Sequence, residues 1–228
     1  MGLKESGLRG SLRNVSVGID AIPDSEDLHA HYDFSEYSSS QTSNFEDLSG
    51  NGHDLVNGSI TDVTASINGV QAGNFDGDDD GVFSNSFSAV PTPYTTIVVC
   101  EMDASSGINT AIQQNTANFA SLQYDASDNQ VSARDDEGGA IIGGDNGTVL
   151  ISHIRDEADS KLRTDQTEHT GDSQFEDMDV LSVGSANPRD DSNYFNGSIG
   201  EVLVYPSDKF SIIEDIEQYL IAKWNLTI

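Results

Sequence analysis

The sequence predicts an all-β antiparallel sandwich that carries one short α-helix at its C-terminal end. Short runs rich in β-branched and aromatic residues recur along the chain, and dipeptides typical of tight turns separate them. Near the C-terminus the apolar residues change to the three- and four-residue spacing of a helix. With 21 glycines in 228 residues, the composition suits many short strands joined by tight turns better than a helical bundle.

The strand-like runs begin near residue 28. We predict strands at 28–34, 54–56, 69–75, 82–87, 95–102, 110–114, 119–124, 130–134, 148–155, 161–164, 180–184 and 199–205. Asn-Gly and Asp-Gly pairs, which tolerate a positive φ, lie between many of them. These pairs are found at 51–52, 57–58, 68–69, 76–77, 146–147 and 196–197. Such a series predicts two packed antiparallel sheets with Greek-key connections, in which alternate residues are buried.

The C-terminal block predicts a closing strand followed by a helix. Pro206 ends the strand because proline cannot donate to a sheet ladder. Ser211 and Glu214 have the spacing of a capping box, which predicts that the helix begins there. One apolar stripe follows at helical spacing: Ile213, Ile216, Leu220 and Trp224. The charged residues of this segment are expected to face solvent: Glu214, Asp215, Glu217 and Lys223.

The chain is strongly acidic. It contains 39 acidic and 10 basic residues, which gives a formal charge of −29. Because molar salt screens charge repulsion over about 3 Å, this balance favours a folded protein from a high-salt environment over a disordered chain. Nucleic acid is not an expected partner, since phosphate binding requires basic residues. No apolar run approaches the roughly 20 residues of a membrane span, and no signal peptide is visible.

Residues 1–28 form a leader that differs from the rest of the chain. Three of the ten basic residues lie within its first 13 positions, so the sign of the local charge is reversed. Its aliphatic and basic residues predict an extended arm that docks on another surface: Leu3, Lys4, Leu8, Arg9, Leu12 and Arg13. The alternative is a merely disordered terminus. Residues 29–228 are then one domain, of a size that sandwiches commonly reach.

Three motifs, in order along the chain, carry a resemblance to a known family. They are Tyr-Asp-Phe at 32–34 with the turn DLSGNGHDL at 47–55, the run GVQAGNFDGDDD at 69–80, and the closing segment YFNGSIGEVLVY at 194–205 with its helix. Together they resemble laminin-G-like domains of the concanavalin A-like (lectin/glucanase) superfamily, over about residues 30–228. The resemblance implies a jelly roll that a short terminal helix completes.

The leader also resembles those of structural proteins of tailed viruses, in which it attaches a lectin-like head to the virion. The resemblance implies a virion surface protein of a halophilic host, such as a capsid turret, spike or tail fibre, for host-glycan attachment or particle stabilisation. Its implied partners are other virion proteins through the arm, copies of itself in a homo-oligomer, and a host glycan. The alternative is a secreted or cell-surface carbohydrate-binding module or glycan-active enzyme of a halophile.

Glucan-cleaving members of this superfamily carry Glu-x-Asp-x-x-Glu on one strand, which places two carboxyl groups about 5–5.5 Å apart. Here Glu101-Met102-Asp103 begins the pattern, but Ala-Ser-Ser-Gly follows at 104–107, so the second glutamate is missing. We therefore expect that the protein is not an enzyme. The single cysteine, Cys100, excludes an intrachain disulfide and is expected to be buried.

The densest carboxylate group is a candidate calcium site: Asp76, Asp78, Asp79 and Asp80. Calcium prefers oxygen ligands of this kind, although the spacing is not that of an EF-hand and a structural Asx turn is the alternative. His29 and His31 lie two apart on one strand, but no third metal ligand is evident. We expect these two and the other three histidines, at 53, 153 and 169, to be solvated or capping.

For glycan binding, aromatic rings near predicted loops are the candidates because they stack on sugars. These are Tyr37, Tyr94, Tyr124 and Tyr194. Five sequons, at Asn14, Asn57, Asn146, Asn196 and Asn225, leave glycosylation open.

Overall fold

A computed structural model describes residues 22–84, 86–103, 107–115, 120–134, 140–144, 147–173, 177–185 and 193–228. The strands in these residues are β1 Ala30–Asp33, β2 Asn57–Ser59, β3 Asp62–Ile67, β4 Val70–Asp76, β5 Gly81–Phe83, β6 Tyr94–Met102, β7 Ile108–Gln113, β8 Ser121–Asp125, β9 Gln130–Arg134, β10 Ala140–Gly144, β11 Thr148–Arg155, β12 Ser160–Thr164, β13 Thr167–Gly171, β14 Ser182–Val183 and β15 Asn196–Tyr205. The helix α1 spans Ile213–Trp224. Short 3₁₀ turns lie at Ser25–Asp27, Glu157–Asp159 and Phe210–Ile212.

The strands form two antiparallel sheets. The eight-stranded sheet has the order β13-β12-β11-β6-β15-β4-β3, and β1 pairs with β15 beside this path. The seven-stranded sheet has the order β10-β9-β8-β7-β14-β5-β2. The predicted all-β antiparallel sandwich with a C-terminal helix is therefore confirmed.

Both faces of the eight-stranded sheet are covered. One face packs on the seven-stranded sheet and forms the main core, which includes Val98, Cys100 and Val202. The other face packs under α1 and forms a second core, which joins Ile97, Val99 and Leu203 of the sheet to the predicted helix stripe, Ile213, Ile216, Leu220 and Trp224. The burial of Cys100 is confirmed, and it raises the pKa of this thiol.

Strand β15 forms the middle of the eight-stranded sheet. It pairs with β6 on one side, and on the other side its first residues pair with β4 and its last ones with β1. A bulge shifts the register between Ile199 and Glu201, and Gly200 lies at this point. A Cβ atom on Gly200 would lie 2.7 Å from the Trp224 ring, so the glycine allows the helix to pack closely on the sheet.

Two expectations for the helix are wrong. The capping box does not form: Ile212 is the N-cap residue and makes no side-chain cap, while Phe210–Ile212 forms a 3₁₀ turn before the helix begins at Ile213. The charged residues also do not all face solvent, because Glu217 is buried and the Lys223 side chain is 9% exposed. Both carry ionic contacts with the sheet beneath α1, which composition and spacing do not reveal.

The strands differ from the prediction mainly at the sheet edges. Residues 54–56 form no strand, and Leu55 makes a single bridge with Phe45. Four strands were not predicted, namely β2, β3, β10 and β13. They contain many small or polar residues, so their sequences lack the apolar signal of a strand.

The leader lies mostly outside the described residues. Within it, Ile22 and Leu28 are buried in the core under α1. Lys209 forms ion pairs with Asp24 and Asp27, each at 2.5 Å. Residues 22–28 therefore pack on the sandwich, whereas the arm residues Leu3 to Arg13 remain a prediction.

Candidate functional site

The outer face of the seven-stranded sheet carries a row of polar side chains. In the strand register, Gln113 of β7 lies opposite Ser121 of β8 and opposite Ser182 of β14, and Ser121 lies opposite Arg134 of β9. Directly paired residues of neighbouring strands share one face of a sheet. The adjacent residues Ile112 and Leu122 join the main core, so this row faces away from it. We call Gln113, Ser121, Arg134 and Ser182 the polar row.

Two neighbouring atoms of the polar row lack hydrogen-bond partners. Gln113 and Ser121 are fully buried, and within the described part of the chain neither Gln113 Oε1 nor Ser121 Oγ has a partner. The other end of the Gln113 amide is fixed, because its Nε2 donates to the backbone oxygen of Asn115. Buried polar atoms are normally paired with protein or with water, so these two atoms have hydrogen-bonding capacity that an ordered water, or a ligand hydroxyl once the row is uncovered, would use.

A second polar set continues the same face. Thr110 lies opposite Gln123, and Gln123 lies opposite Ser132. Gln123 Nε2 donates to Thr110 Oγ1 at 3.4 Å. Amides and hydroxyls both donate and accept, which matches the paired donors and acceptors of a polyhydroxylated ligand. Phe83, which is half-buried and lies opposite Ser182, adds an apolar ring edge to the same face.

The sequence contains a signal for this face that our predictions missed. In β8 the polar residues Ser121 and Gln123 flank Leu122, and in β9 Ser132 and Arg134 flank Ala133. Alternation of this kind places one face of the strand in the core and the other outside it. The signal shows where polar side chains align, but it does not show which of them lack partners.

Two of the four tyrosines predicted to stack on a glycan are in the wrong place. Tyr94 and Tyr124 are 0% and 1% exposed and belong to the main core, so a sugar cannot contact their rings. Their hydroxyls point to protein partners, and the Tyr124 hydroxyl donates to Asn129 Oδ1 at 2.8 Å. Tyr37 and Tyr194 are half-buried, and the Tyr37 hydroxyl donates to the backbone oxygen of Glu46. Proximity to a turn did not predict exposure, because the rings of Tyr94 and Tyr124 fill the space between the sheets.

The acidic turn at 76–80 is internally hydrogen-bonded. Asp76 Oδ1 accepts from the backbone N–H groups of Asp78 and Asp79. Asp80 is buried, and its Oδ2 accepts from the N–H of Asp76 and from both the N–H and the hydroxyl of Thr61. Burial raises the pKa of Asp80, and these hydrogen bonds oppose that shift. Carboxylate atoms of Asp76, Asp79 and Asp80 lie within 4.8 Å of one another, so a calcium site there remains a prediction beside the Asx turn.

The two histidines of the first strand have separate surroundings. His29 stacks on His53 with ring centroids 4.5 Å apart, in a rim pocket of about 290 Å³. Burial, followed by the neighbouring His53, lowers the pKa of His29. His31 instead lies under α1, where its Nε2 is 2.9 Å from Glu201 Oε1. The expectation that the histidines are solvated or capping is therefore wrong for His31, and it is also wrong for His153, which is fully buried on β11.

A buried ionic cluster connects α1 to the sheet. Lys223 forms ion pairs with Asp33 and Glu201, and Trp224 Nε1 donates to Glu201 Oε2 at 2.8 Å. Burial alone raises the pKa of Glu201, but its hydrogen bond with His31 and the charge of Lys223 lower it overall. His31, Asp33 and Glu201 also have the spacing of a metal site. The Lys223 ammonium already supplies the positive charge, which indicates a structural role.

The carboxylates considered for catalysis lie at the end of β6. Glu101 is half-buried and pairs across the sheet with Thr148 and Ser198, whereas Asp103 is exposed. Residues 104–106, where the family pattern places the second glutamate, lie outside the described residues. The described part of the chain also contains no helix with the length and apolar character that a bilayer crossing requires.

Comparisons with known proteins show similarity of fold. No known family profile matches the chain, and no curated protein matches its sequence. Among solved structures, a Trypanosoma rangeli sialidase in complex with a difluorinated sugar acid superposes with a TM-score of 0.63 at 12% identity, over 86% of this chain and 33% of that one. Botulinum neurotoxin type C, whose cell entry depends on two ganglioside molecules, superposes with a TM-score of 0.54 at 7% identity, over 86% of this chain and 51% of that one. This chain thus spans about a third of the sialidase's length.

These similarities overturn our prediction that the protein is not an enzyme. That prediction rested on a glutamate missing from one glucanase pattern, whereas the superposed sialidases are glycoside hydrolases that match this chain over 85–86% of its length. The missing glutamate therefore does not decide whether this chain is an enzyme. At 12% identity the similarity shows the fold alone and establishes no activity for this chain.

Proposed function

We propose that this chain is a carbohydrate-binding domain that holds a neutral glycan on the outer face of its seven-stranded sheet. The observation that carries the proposal is the pair of buried, unpartnered atoms in the polar row, Gln113 Oε1 and Ser121 Oγ. The two atoms belong to directly paired residues that are both 0% exposed, so a glycan hydroxyl reaches them only after the segments that cover the row move aside. The solved structures of similar fold support carbohydrate as the general ligand class, since they include a sialidase bound to sialic acid and a toxin that interacts with gangliosides. Those sugars are anionic, so the preference for a neutral glycan rests on the charge of this chain.

The charge of the chain favours an uncharged ligand. With a formal charge of −29, the protein repels anionic glycans at low salt. Gln113, Ser121 and Ser182 supply hydrogen bonds without charge, which suits neutral hydroxyls, while Arg134 is the exposed, cationic member of the polar row. We therefore expect neutral glycans to bind more strongly than sialylated ones at low salt, and this difference should shrink in molar KCl.

A glycan array in molar KCl, followed by calorimetric titration of the best ligand, tests this function. Ser121→Ala is the informative variant because it removes a hydroxyl that has no partner among the described residues. We expect binding to weaken about three- to tenfold, the value of one net hydrogen bond, while stability changes by less than about 1 kcal/mol. Chromatography of the same glycans after incubation measures whether any is cleaved.

The matched control is Ser66→Ala, which removes an exposed hydroxyl from β3 of the other sheet. It should leave both binding and stability unchanged. If Ser121→Ala binds the array ligand as tightly as Ser66→Ala does, the polar row is not the site. If no neutral glycan binds at any salt concentration, the proposed function itself is contradicted.

We propose a secreted or cell-surface setting for this binding domain. The acidic composition supports a high-salt environment, and the structures of similar fold include carbohydrate-binding proteins. Attachment to a virion through the leader is a more specific hypothesis than this general setting. Its support is the basic, aliphatic sequence of residues 1–13.

A further inference from the structure

A groove of about 380 Å³ lies at the start of α1, on the side of the sandwich opposite to the polar row. Its volume lies within the range of about 300–1,000 Å³ that is typical of ligand sites. We call it the Phe210 groove. Its lining residues are Arg163, Glu168, Phe210, Ser211, Ile212, Ile213, Glu214 and Asp215.

Phe210 gives the groove an aromatic surface. Its side chain is 37% exposed, and among the described residues it is the one aromatic ring in the exposed class. Asp208 Oδ1 accepts from the N–H of Phe210 at 2.6 Å and so fixes the turn that carries the ring. Lys161 Nζ lies 4.6 Å from the ring centroid. Lys161 covers one face of the ring, so the electropositive C–H bonds of a pyranose would stack on the other face.

Arg163 supplies donors that are already held in place. Its Nε and Nη2 donate to the two carboxylate oxygens of Glu217, each at 2.9 Å. Its Nη1 lies 3.6 Å from Glu168 Oε2, which is longer than a hydrogen bond. Within the described part of the chain Nη1 therefore makes no hydrogen bond, and its N–H groups and the Glu168 acceptors beside them are available to a ligand. Because Glu217 already fixes the guanidinium group, the Arg163 side chain loses little conformational entropy when a ligand binds.

We propose that the Phe210 groove is a second sugar site, which stacks one pyranose of a neutral glycan on Phe210 and binds its hydroxyls through Arg163 and Glu168. Stacked sheets lie about 10 Å apart and a packed helix adds roughly 8–10 Å, so this groove and the polar row are about 20 Å apart. One protein molecule then binds two glycan molecules at once. The proposal shares its ligand class with the proposed function but not its site.

Titration with three neutral hexasaccharides tests the second site: cellohexaose, laminarihexaose and xylohexaose, in molar KCl, by calorimetry and by ¹⁵N NMR. The unaltered protein should bind about two molecules of at least one sugar per chain, and Phe210→Ala should bind about one, with at least about tenfold weaker binding at the groove. Glu168→Gln, which keeps the ring, should weaken the same site. Val56→Ala is the control, because it truncates another exposed apolar side chain, which is 47% exposed.

The binding measurements distinguish a failure of the second site from a failure of the polar row. If Phe210→Ala leaves the stoichiometry unchanged, or if only Ser121→Ala weakens binding, the second site is wrong and the proposed function stands. If Phe210→Ala weakens binding and Ser121→Ala does not, the polar row is wrong and the groove remains. Binding of none of the three sugars contradicts the second site, while the glycan array tests the polar row separately.

Discussion

His153 is a titratable side chain that the fold holds in its neutral form. It is fully buried on β11, and its Nε2 lies 3.4 Å from Ser173 Oγ, which itself donates to Ser160 Oγ. Its Nδ1 has no partner among the described residues. Burial, and then the charge of Arg155, lower the pKa of His153 well below its usual value. Protonation would therefore place an unpaired N–H group and a second positive charge beside Arg155.

The stability of the protein should fall as the pH drops below about 6.5, the usual pKa of an unfolded histidine. Below that value the unfolded chain binds a proton that the folded His153 does not bind, so acid favours unfolding by up to about 1.4 kcal/mol per pH unit. Urea unfolding at a series of pH values from neutral into the acid range measures this slope. His153→Leu should reduce this slope by up to about 1.4 kcal/mol per pH unit, which corresponds to one proton.

The control for this prediction is His169→Gln on β13, since that histidine is half-buried rather than enclosed. It should leave most of the slope in place. Equal slopes for His153→Leu and the unaltered protein would show that other groups cause the acid sensitivity.

At the scale of elements, α1 is fastened to the sheet by charge as well as by its apolar stripe. Glu217 accepts two hydrogen bonds from Arg163 of β12 and one from the Ser152 hydroxyl of β11, at 2.9 Å. Hydrogen bonding to Glu217 raises the pKa of Arg163. The side chains of Glu217 and Arg163 are 1% and 7% exposed, so salt screens this pair much less than a surface pair.

Glu217→Gln should destabilise the protein by about 3 kcal/mol because it removes the buried counter-ion of Arg163 and leaves only the more exposed Glu168, 3.6 Å away. Urea unfolding at fixed salt concentration measures the loss. Glu214→Gln is the matched control, an exposed glutamate one turn earlier, and should cost less than about 0.5 kcal/mol. The double variant Arg163→Met with Glu217→Leu should recover most of the loss, since no charge is then left unpaired. Equal costs for Glu217→Gln and Glu214→Gln would contradict this role.

The sequence predicts the elements that rest on local signals and misses those that rest on contacts. The apolar stripe from Ile213 to Trp224 and the closing strand are visible as periodic patterns, and both are confirmed. Glu217 and Lys223 look like ordinary exposed helix residues, because their partners Arg163 and Glu201 are far away in the sequence. The orphaned atoms of Gln113 and Ser121 likewise become visible only when neighbouring strands are paired.

At the scale of the whole molecule, residues 22–28 belong to the sandwich, and a truncation can separate them from the leader residues before them. Ile22 is buried, and Asp24 and Asp27 form ion pairs with Lys209, so a truncation should keep these residues. We predict that a variant lacking residues 1–21 folds but loses self-association in high salt, because the predicted arm contacts are removed. Size-exclusion chromatography with light scattering measures the change in mass.

A full-length variant with Lys4→Gln, Arg9→Gln and Arg13→Gln distinguishes charge from apolar contact in the same assay. It keeps Leu3, Leu8 and Leu12 while it removes the basic side chains. If the truncated protein forms particles with the same number of chains as the full-length protein, the arm hypothesis is wrong.

The position of β15 determines when the chain can fold during synthesis. This strand separates β6 from β4 and β1, so a nascent chain that ends before residue 196 holds its first sheet as two parts with unpaired edges in the middle. Open strand edges invite pairing with other chains. The eight-stranded sheet therefore stays incomplete until β15 and α1 have been synthesised.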